Sequence, residues 1–298
     1  MRAKMMKSNT TPQPDRKPKR RIVRFSLRLL AVVGVGFVLV LAMLSYCENY
    51  LLYPGALSRG GDWNPRWLDY EDVWFSSADG TRLHGWCLEH DQPQGYLLYC
   101  HGNGDHVAHL AEYLEHLRRE YRVTVFAFDY RGYGQSDGSP HEQGVLADGH
   151  AAQQWLAQHA EIPADQILLM GRSLGGGVAV DLASTNGAKG LILERTFTSL
   201  PDVAARLYWW APVRLLMRNR FSSIDKISSY RGPLLQSHGT ADELIPFDIG
   251  QQLFAACPSQ KKSWIAMPGV GHNSPNTPDY ESALRDFITK HGSLTVTP

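Results

Sequence analysis

Cysteine is scarce in this chain: four in 298 residues, Cys47, Cys87, Cys100 and Cys257, at irregular spacing. That pattern excludes both a zinc-ligand pair and the dense disulfide framework of small secreted domains. Cys87 and Cys100 fall in two nearby predicted strands, where a disulfide formed in an oxidising compartment and two buried free thiols are both open. An overall excess of one charge is lacking too, with 30 basic and 29 acidic residues and a formal net charge of +1. The balance hides an asymmetry. Residues 1–28 carry ten Lys/Arg against the single Asp15, which leaves 20 basic and 28 acidic residues, a net of −8, from Glu48 onward. A body of that sign excludes nucleic acid as a partner. The body also lacks internal repeats and low-complexity tracts, and long apolar runs are confined to one place near the N-terminus.

That run is Leu29–Cys47, nineteen residues without a charge. At 1.5 Å per residue it just crosses a hydrocarbon layer of about 30 Å. A cleaved secretory signal has an apolar region of about 7–15 residues followed by a small-residue cleavage site. Ser45-Tyr46-Cys47-Glu48 offers no such site, and Tyr46 before Cys47 fits a lipid-attachment motif poorly. The expectation is an uncleaved single-pass anchor at 29–47, preceded by a basic tail at 1–28. Positive charge massed before the span keeps the N-terminus cytoplasmic and sends the body across the membrane.

Residues 48–69 read as an aromatic-rich connector, with Tyr50, Tyr53, Trp63 and Trp67 either at the membrane interface or packed on the domain. From residue 70 to 298 apolar β-type runs alternate with helical ones. Val73–Ser76 and Arg82–Leu88 flank the turn Ala78-Asp79-Gly80 as a hairpin, and later strands are separated by helices. Strand-helix alternation calls for right-handed crossovers, hence an α/β fold with a mostly parallel sheet and helices on both faces. The segment of about 197–230, containing Tyr208-Trp209-Trp210, breaks the alternation and reads as a small helical cap over the substrate entrance.

The chemistry centres on Gly171-Arg172-Ser173-Leu174-Gly175, directly after the strand Ile167–Met170 and directly before a helix. This is a nucleophile elbow in its strand-turn-helix context, where side chains at either glycine would collide with backbone. A serine needs a base, and the base needs an orienting acid. His272 lies in a Gly-flanked loop after the last strand, and Asp242 follows the strand Pro233–Ser237. The order Ser173, Asp242, His272 is the one this elbow demands. Of the other histidines, His101, His106 and His109 come too early in the chain, and His238 reads as structural. Glu194, at the end of a strand, is the second choice for the acid, and Asp248 falls within a helix. An oxyanion forming on the substrate needs backbone donors, assigned to Leu174 N–H and, from the loop His101-Gly102-Asn103-Gly104, to Asn103 N–H.

Five motifs in this order resemble the α/β-hydrolases of the Bem46 type, close to the alpha/beta hydrolase domain-containing 13 and 17 proteins and to serine aminopeptidase-like hydrolases. They are His101–Gly104, Asp129–Ser136, Gly171–Gly175, His238–Asp242 and Gly271–Asn273. The resemblance covers about residues 70–290. It implies the α/β-hydrolase fold and a Ser-His-Asp site, with no cofactor, no metal and no obligatory protein partner. Serine at 173 sets the chain apart from the dehalogenase and epoxide hydrolase branches, which use an aspartate nucleophile. The expected activity is hydrolysis of an ester or thioester, on a small-molecule or lipid-like acyl substrate, through an acyl-enzyme. A serine peptidase or amidase and a non-catalytic membrane-anchored binding protein are the alternatives. The 17-type relatives remove palmitoyl groups, but their lipidated cysteine-rich N-terminus is missing here.

Overall fold

The computed structural model describes residues 17–58 and 60–292, so the first sixteen residues of the expected tail, Arg59 and residues 293–298 lie outside the described residues. The chain divides after Tyr46 into two compact units. The first contains α1 (Lys17–Tyr46), within which Val23–Tyr46 holds an 18-residue window of mean hydropathy 2.6 with no buried share. By length and composition this stretch can cross a membrane. The helix starts earlier than the uncharged run because Lys and Arg are good helix formers and nothing before Leu29 breaks the turn.

The second unit begins with α2 (Glu48–Leu52) and a single 3₁₀ turn, Pro54–Leu57. It continues through β1 (Glu71–Ser76), β2 (Arg82–Leu88), β3 (Gly95–Cys100), α3 (Ala111–Tyr121), β4 (Val123–Phe128), α4 (Glu142–His159), β5 (Leu168–Arg172) and α5 (Leu174–Thr185). After these come β6 (Gly190–Glu194), α6 (Leu200–Leu207), α7 (Val213–Leu216), α8 (Ser223–Ile227), β7 (Leu234–Gly239), α9 (Phe247–Ala256), β8 (Lys262–Met267) and α10 (Pro278–His291). Local chemistry sets several boundaries. Arg122 ends α3 in the left-handed region at φ 51°, and His141, Ser199 and Thr277 cap α4, α6 and α10 through their side chains.

The eight strands form one sheet in the order β1-β2-β4-β3-β5-β6-β7-β8. Every pair from β4 to β8 is parallel, and only β2 runs against its two neighbours. The expected mostly parallel sheet is therefore present, with one reversed strand near the edge rather than a reversed pair. Strands β3 and β4 are apolar on both faces because both are covered. On one face Leu98, Phe126, Phe128, Leu169 and Leu193 pack with α4, α5, α8 and α9; on the other Leu97, Val125, Met170 and Ile192 pack with α3 and α10. Parallel strands deliver their carboxyl ends to a single sheet edge, where the loops after β5, β7 and β8 meet.

The strand order also settles the cysteine question. Cys87 on β2 and Cys100 on β3 are separated by β4, two strand spacings of about 4.8 Å. All four cysteines are free, and burial pushes the Cys87 and Cys100 thiols up, so both stay protonated and inert.

The connector is ordered against the domain. Glu48 is buried and accepts from the backbone N–H groups of Arg218 and Asn219, while Tyr53 donates to Asn219 Oδ1 at 2.7 Å. Residues 197–230 hold α6, α7 and α8 between β6 and β7. Phe197, Phe221, Ile227 and Tyr230 are buried there, whereas Trp209 is 83% exposed.

Candidate active site

Strand β5 and helix α5 meet at Ser173, whose backbone sits at φ 52°, ψ −117°, a conformation that non-glycine residues avoid. Neighbours hold it there: Ser173 N–H donates to Glu194 O at 2.9 Å, and Thr196 Oγ1 donates to Ser173 O at 2.8 Å. A Cβ at Gly171 would strike the Gly175 carbonyl, and one at Gly175 would strike the carbonyls of Cys100 and His101, all closer than the 3.0 Å that real Cβ contacts respect. The glycines let the elbow pass this close to β3. Gly102 lies beside the serine, since a Cβ there would sit 3.8 Å from Ser173 Cβ.

The loops after β7 and β8 bring the other two residues. His272 Nε2 is 3.1 Å from Ser173 Oγ, and His272 Nδ1 is 2.8 Å from Asp242 Oδ2. The second Asp242 oxygen accepts from the N–H groups of Leu244 at 3.0 Å and Ile245 at 2.8 Å, which fixes the carboxylate plane. Burial alone would raise this carboxyl. Hydrogen bonds from His238, His272 and the Ile245 N–H outweigh it and hold the group well below the usual carboxylate range. His238 thus supports Asp242 from behind, with its Nε2 2.8 Å from Ile245 O and 3.4 Å from Asp242 Oδ2.

The loop carrying Asn103 is clamped on several sides. Asn103 Nδ2 donates to Leu52 O, Gly55 N–H and Tyr133 Oη–H donate to Asn103 O, and Tyr130 Oη–H donates to His101 O. The Asp129–Ser136 motif therefore shapes this loop rather than supplying reacting groups. Ser173 and Asp242 are each 7% exposed, so the residues sit under cover. A surface depression of about 720 Å³, lined by His150, Gln154, Glu161 and Asn186, contains none of them.

Residues 91–223 match the family described as serine aminopeptidase, S33. An uncharacterised protein of Mycobacterium tuberculosis is 39% identical over 231 residues, covering 75% of this chain and 80% of its own. Protein bem46 of Schizosaccharomyces pombe is 30% identical over 268 residues, covering 85% and 90%. The chain belongs to the α/β-hydrolase family, Bem46-like. An esterase of Pyrococcus furiosus, Pf2001, shares the fold of this α/β-hydrolase with a TM-score of 0.66 at 19% identity, over 79% of this chain and 99% of that one.

Two arginines of this α/β-hydrolase escaped the sequence reading. Arg195 is fully buried at φ 46° and donates to His272 O at 3.0 Å, Ser274 O at 2.8 Å and Asn276 Oδ1 at 2.6 Å. Arg172, the variable residue of the elbow, donates to His272 O at 3.0 Å. Together they staple the histidine loop to the ends of β5 and β6. Glu194, the alternative acid, instead accepts from Asn276 Nδ2 at 3.1 Å and bonds nothing on His272. The only sequence signal was a Glu-Arg pair at the end of an otherwise apolar strand.

Proposed function

We propose that this α/β-hydrolase is a membrane-anchored serine hydrolase that cleaves carboxylic ester or thioester bonds of a small-molecule or lipid-like acyl substrate. The observation that carries the reading is the unbroken hydrogen-bond chain from Ser173 Oγ through His272 to Asp242. In that chain His272 Nε2 takes the Ser173 proton as Oγ attacks the acyl carbon, while Asp242 fixes the tautomer and stabilises the imidazolium. Leu174 opens α5, so its N–H lacks an intrahelical acceptor and serves as one oxyanion donor, with Asn103 N–H as the other. Each such donor contributes about 2.7–4 kcal/mol to the barrier reduction. The tetrahedral intermediate collapses as His272 protonates the leaving alcohol or thiol. Water, deprotonated by the same histidine, then releases the acid from Ser173. No metal or cofactor enters these steps.

The apolar stretch Val23–Tyr46 supports an N-terminal anchor. Ten Lys/Arg in residues 1–28 support a cytoplasmic N-terminus and an extracytoplasmic body. The match to the serine aminopeptidase family gives amide hydrolysis a place as second reading. A panel of p-nitrophenyl esters of increasing chain length, an acyl thioester and aminoacyl p-nitroanilides separates the two. Ester or thioester turnover that falls at least about 10⁴-fold in Ser173→Ala supports the proposal. Turnover retained in that variant refutes it, and preferential anilide cleavage moves the assignment to a peptidase.

A further inference from the structure

The chain between residues 48 and 57, in the same compact unit as the sheet, closes on the loop that carries Asn103. It holds that residue from two sides. Asn103 Nδ2 donates to Leu52 O at 3.0 Å, and the Asn103 carbonyl accepts from Gly55 N–H at 2.9 Å. Tyr133 Oη–H adds a bond to the same carbonyl at 3.1 Å. The Asn103 N–H donates to no group among the described residues, which leaves it open to a substrate oxygen. The contact is too close for any side chain at position 55. A Cβ on Gly55 would stand 2.5 Å from Tyr133 Cε1 and 2.8 Å from Asn103 O, inside the 3.0 Å that real Cβ contacts respect. Gly55 is not at positive φ, so room rather than backbone conformation demands the glycine. The far end of the segment is fixed as well. Buried Glu48 accepts from Arg218 N–H, Asn219 N–H and Asn219 Nδ2 at 2.8–3.0 Å, and Tyr53 Oη–H donates to Asn219 Oδ1. The root of the loop has its own support, Tyr130 Oη–H on the His101 carbonyl, so residues 48–57 act on the tip.

We infer that Leu52 and Gly55 are positioning residues for the hydrolysis: they fix Asn103 so that its N–H meets the oxyanion forming on the substrate. The inference rests on the hydrolase reading and on Asn103 as donor, and it makes the connector before the first strand a part of the active site. A donor stabilises a developing charge only when its position is held to about 0.5 Å. A Cβ at position 55 must displace Asn103 O, and Asn103 moves with it. Losing an oxyanion donor outright costs about 10²–10³ in kcat, so a displaced one should cost about 10–100-fold.

The test uses the full chain in detergent. Gly55→Ala introduces the clash, and Asn103→Ala introduces none: it keeps the backbone N–H and loses only the tie to Leu52 O. Rates are expressed per site labelled to completion by a fluorophosphonate, so that misfolded chains do not count. On the p-nitrophenyl ester or anilide that wild type cleaves, kcat should fall about 10–100-fold in Gly55→Ala and about 10-fold in Asn103→Ala, with KM within about threefold. An alkylboronic acid forms a tetrahedral adduct on serine with an oxygen where the oxyanion develops. Its inhibition constant, read as protection against labelling, should rise by the factor that kcat falls. The acid limb of the kcat/KM profile, which reports the triad, should not move. A lower kcat with an unchanged boronate constant, or with a shifted acid limb, makes the segment merely structural and overturns the inference. Wild-type kcat and boronate constant in both variants overturn it too, and should Gly55→Ala fail to fold, Asn103→Ala decides alone. A folded wild-type chain that takes no label overturns the hydrolase reading, and this inference with it.

Discussion

Replacing Arg195 with Met keeps the stem of the side chain and removes its guanidinium. That group makes four donations to the His272 loop, to His272 O, Ser274 O and Asn276 Oδ1 at 2.6–3.0 Å and to Pro275 O at 3.5 Å, while its Nε finds no acceptor among the described residues. Hydrogen bonds from a charged group contribute about 1.5–3 kcal/mol each, and burying the ion offsets much of the sum. The variant is expected to lose about 2–3 kcal/mol of unfolding free energy, read as a lower urea midpoint at unchanged slope. The larger effect is on position. A displacement of about 1 Å in a reacting group costs about 100-fold, so kcat should fall by that factor with KM held, because the acyl group binds elsewhere. Arg195→Lys, which keeps a donor, should recover part of the rate. A variant destabilised as expected but with wild-type kcat and fluorophosphonate labelling rate would refute the reasoning and leave the loop to Arg172 alone.

Asp242→Asn keeps the shape but loses the charge that fixes His272, and kcat should fall about 10⁴-fold, with a lower urea midpoint at neutral pH because a carboxyl held below its usual range stabilises the fold there; activity within tenfold of wild type would remove Asp242 from the account. Gly175→Ala forces a Cβ onto the Cys100 carbonyl and should cost about 3 kcal/mol or more in urea unfolding, whereas a wild-type midpoint would contradict the elbow packing. Buried His84 lies between Asp129 at 3.1 Å and Asp72 at 2.8 Å. Burial would lower its pKa, but the two carboxylates outweigh burial and raise it. A raised folded-state pKa gives stability that is full below the unfolded value of about 6.5 and lost as pH rises through the folded one. Melting temperature should therefore decline above pH 6.5 more steeply in wild type than in His84→Gln, and parallel profiles would count against this network.

How much of this was readable in the chain depends on where each constraint resides. The α/β class followed from alternating runs, and the elbow from two glycines that only a strand-to-helix turn requires, because both are local. The order of Ser173, Asp242 and His272 could be read from loops that follow successive parallel strands, which the sheet then gathers at one edge. Arg195 was not legible because its bonds run to backbone carbonyls, which every residue carries. The fate of Cys87 and Cys100 depended on β4 entering between β2 and β3, a matter of topology that spacing along the chain does not encode. Likewise the docking of Glu48 on residues 218–219 links positions 170 apart. Tyr208-Trp209-Trp210 announced an unusual segment, but only the packing of Phe197 and Phe221 shows that the inner positions of that segment are already filled.

The central claim is that Ser173 is an activated nucleophile. Its most direct test is treatment of the detergent-solubilised full chain with a fluorophosphonate, followed by peptide mass spectrometry. The account predicts a single adduct on Ser173 that forms at a saturable rate, is absent from Ser173→Ala and is strongly slowed in His272→Ala. Folded protein that takes up no label, or carries it on another residue, would contradict it.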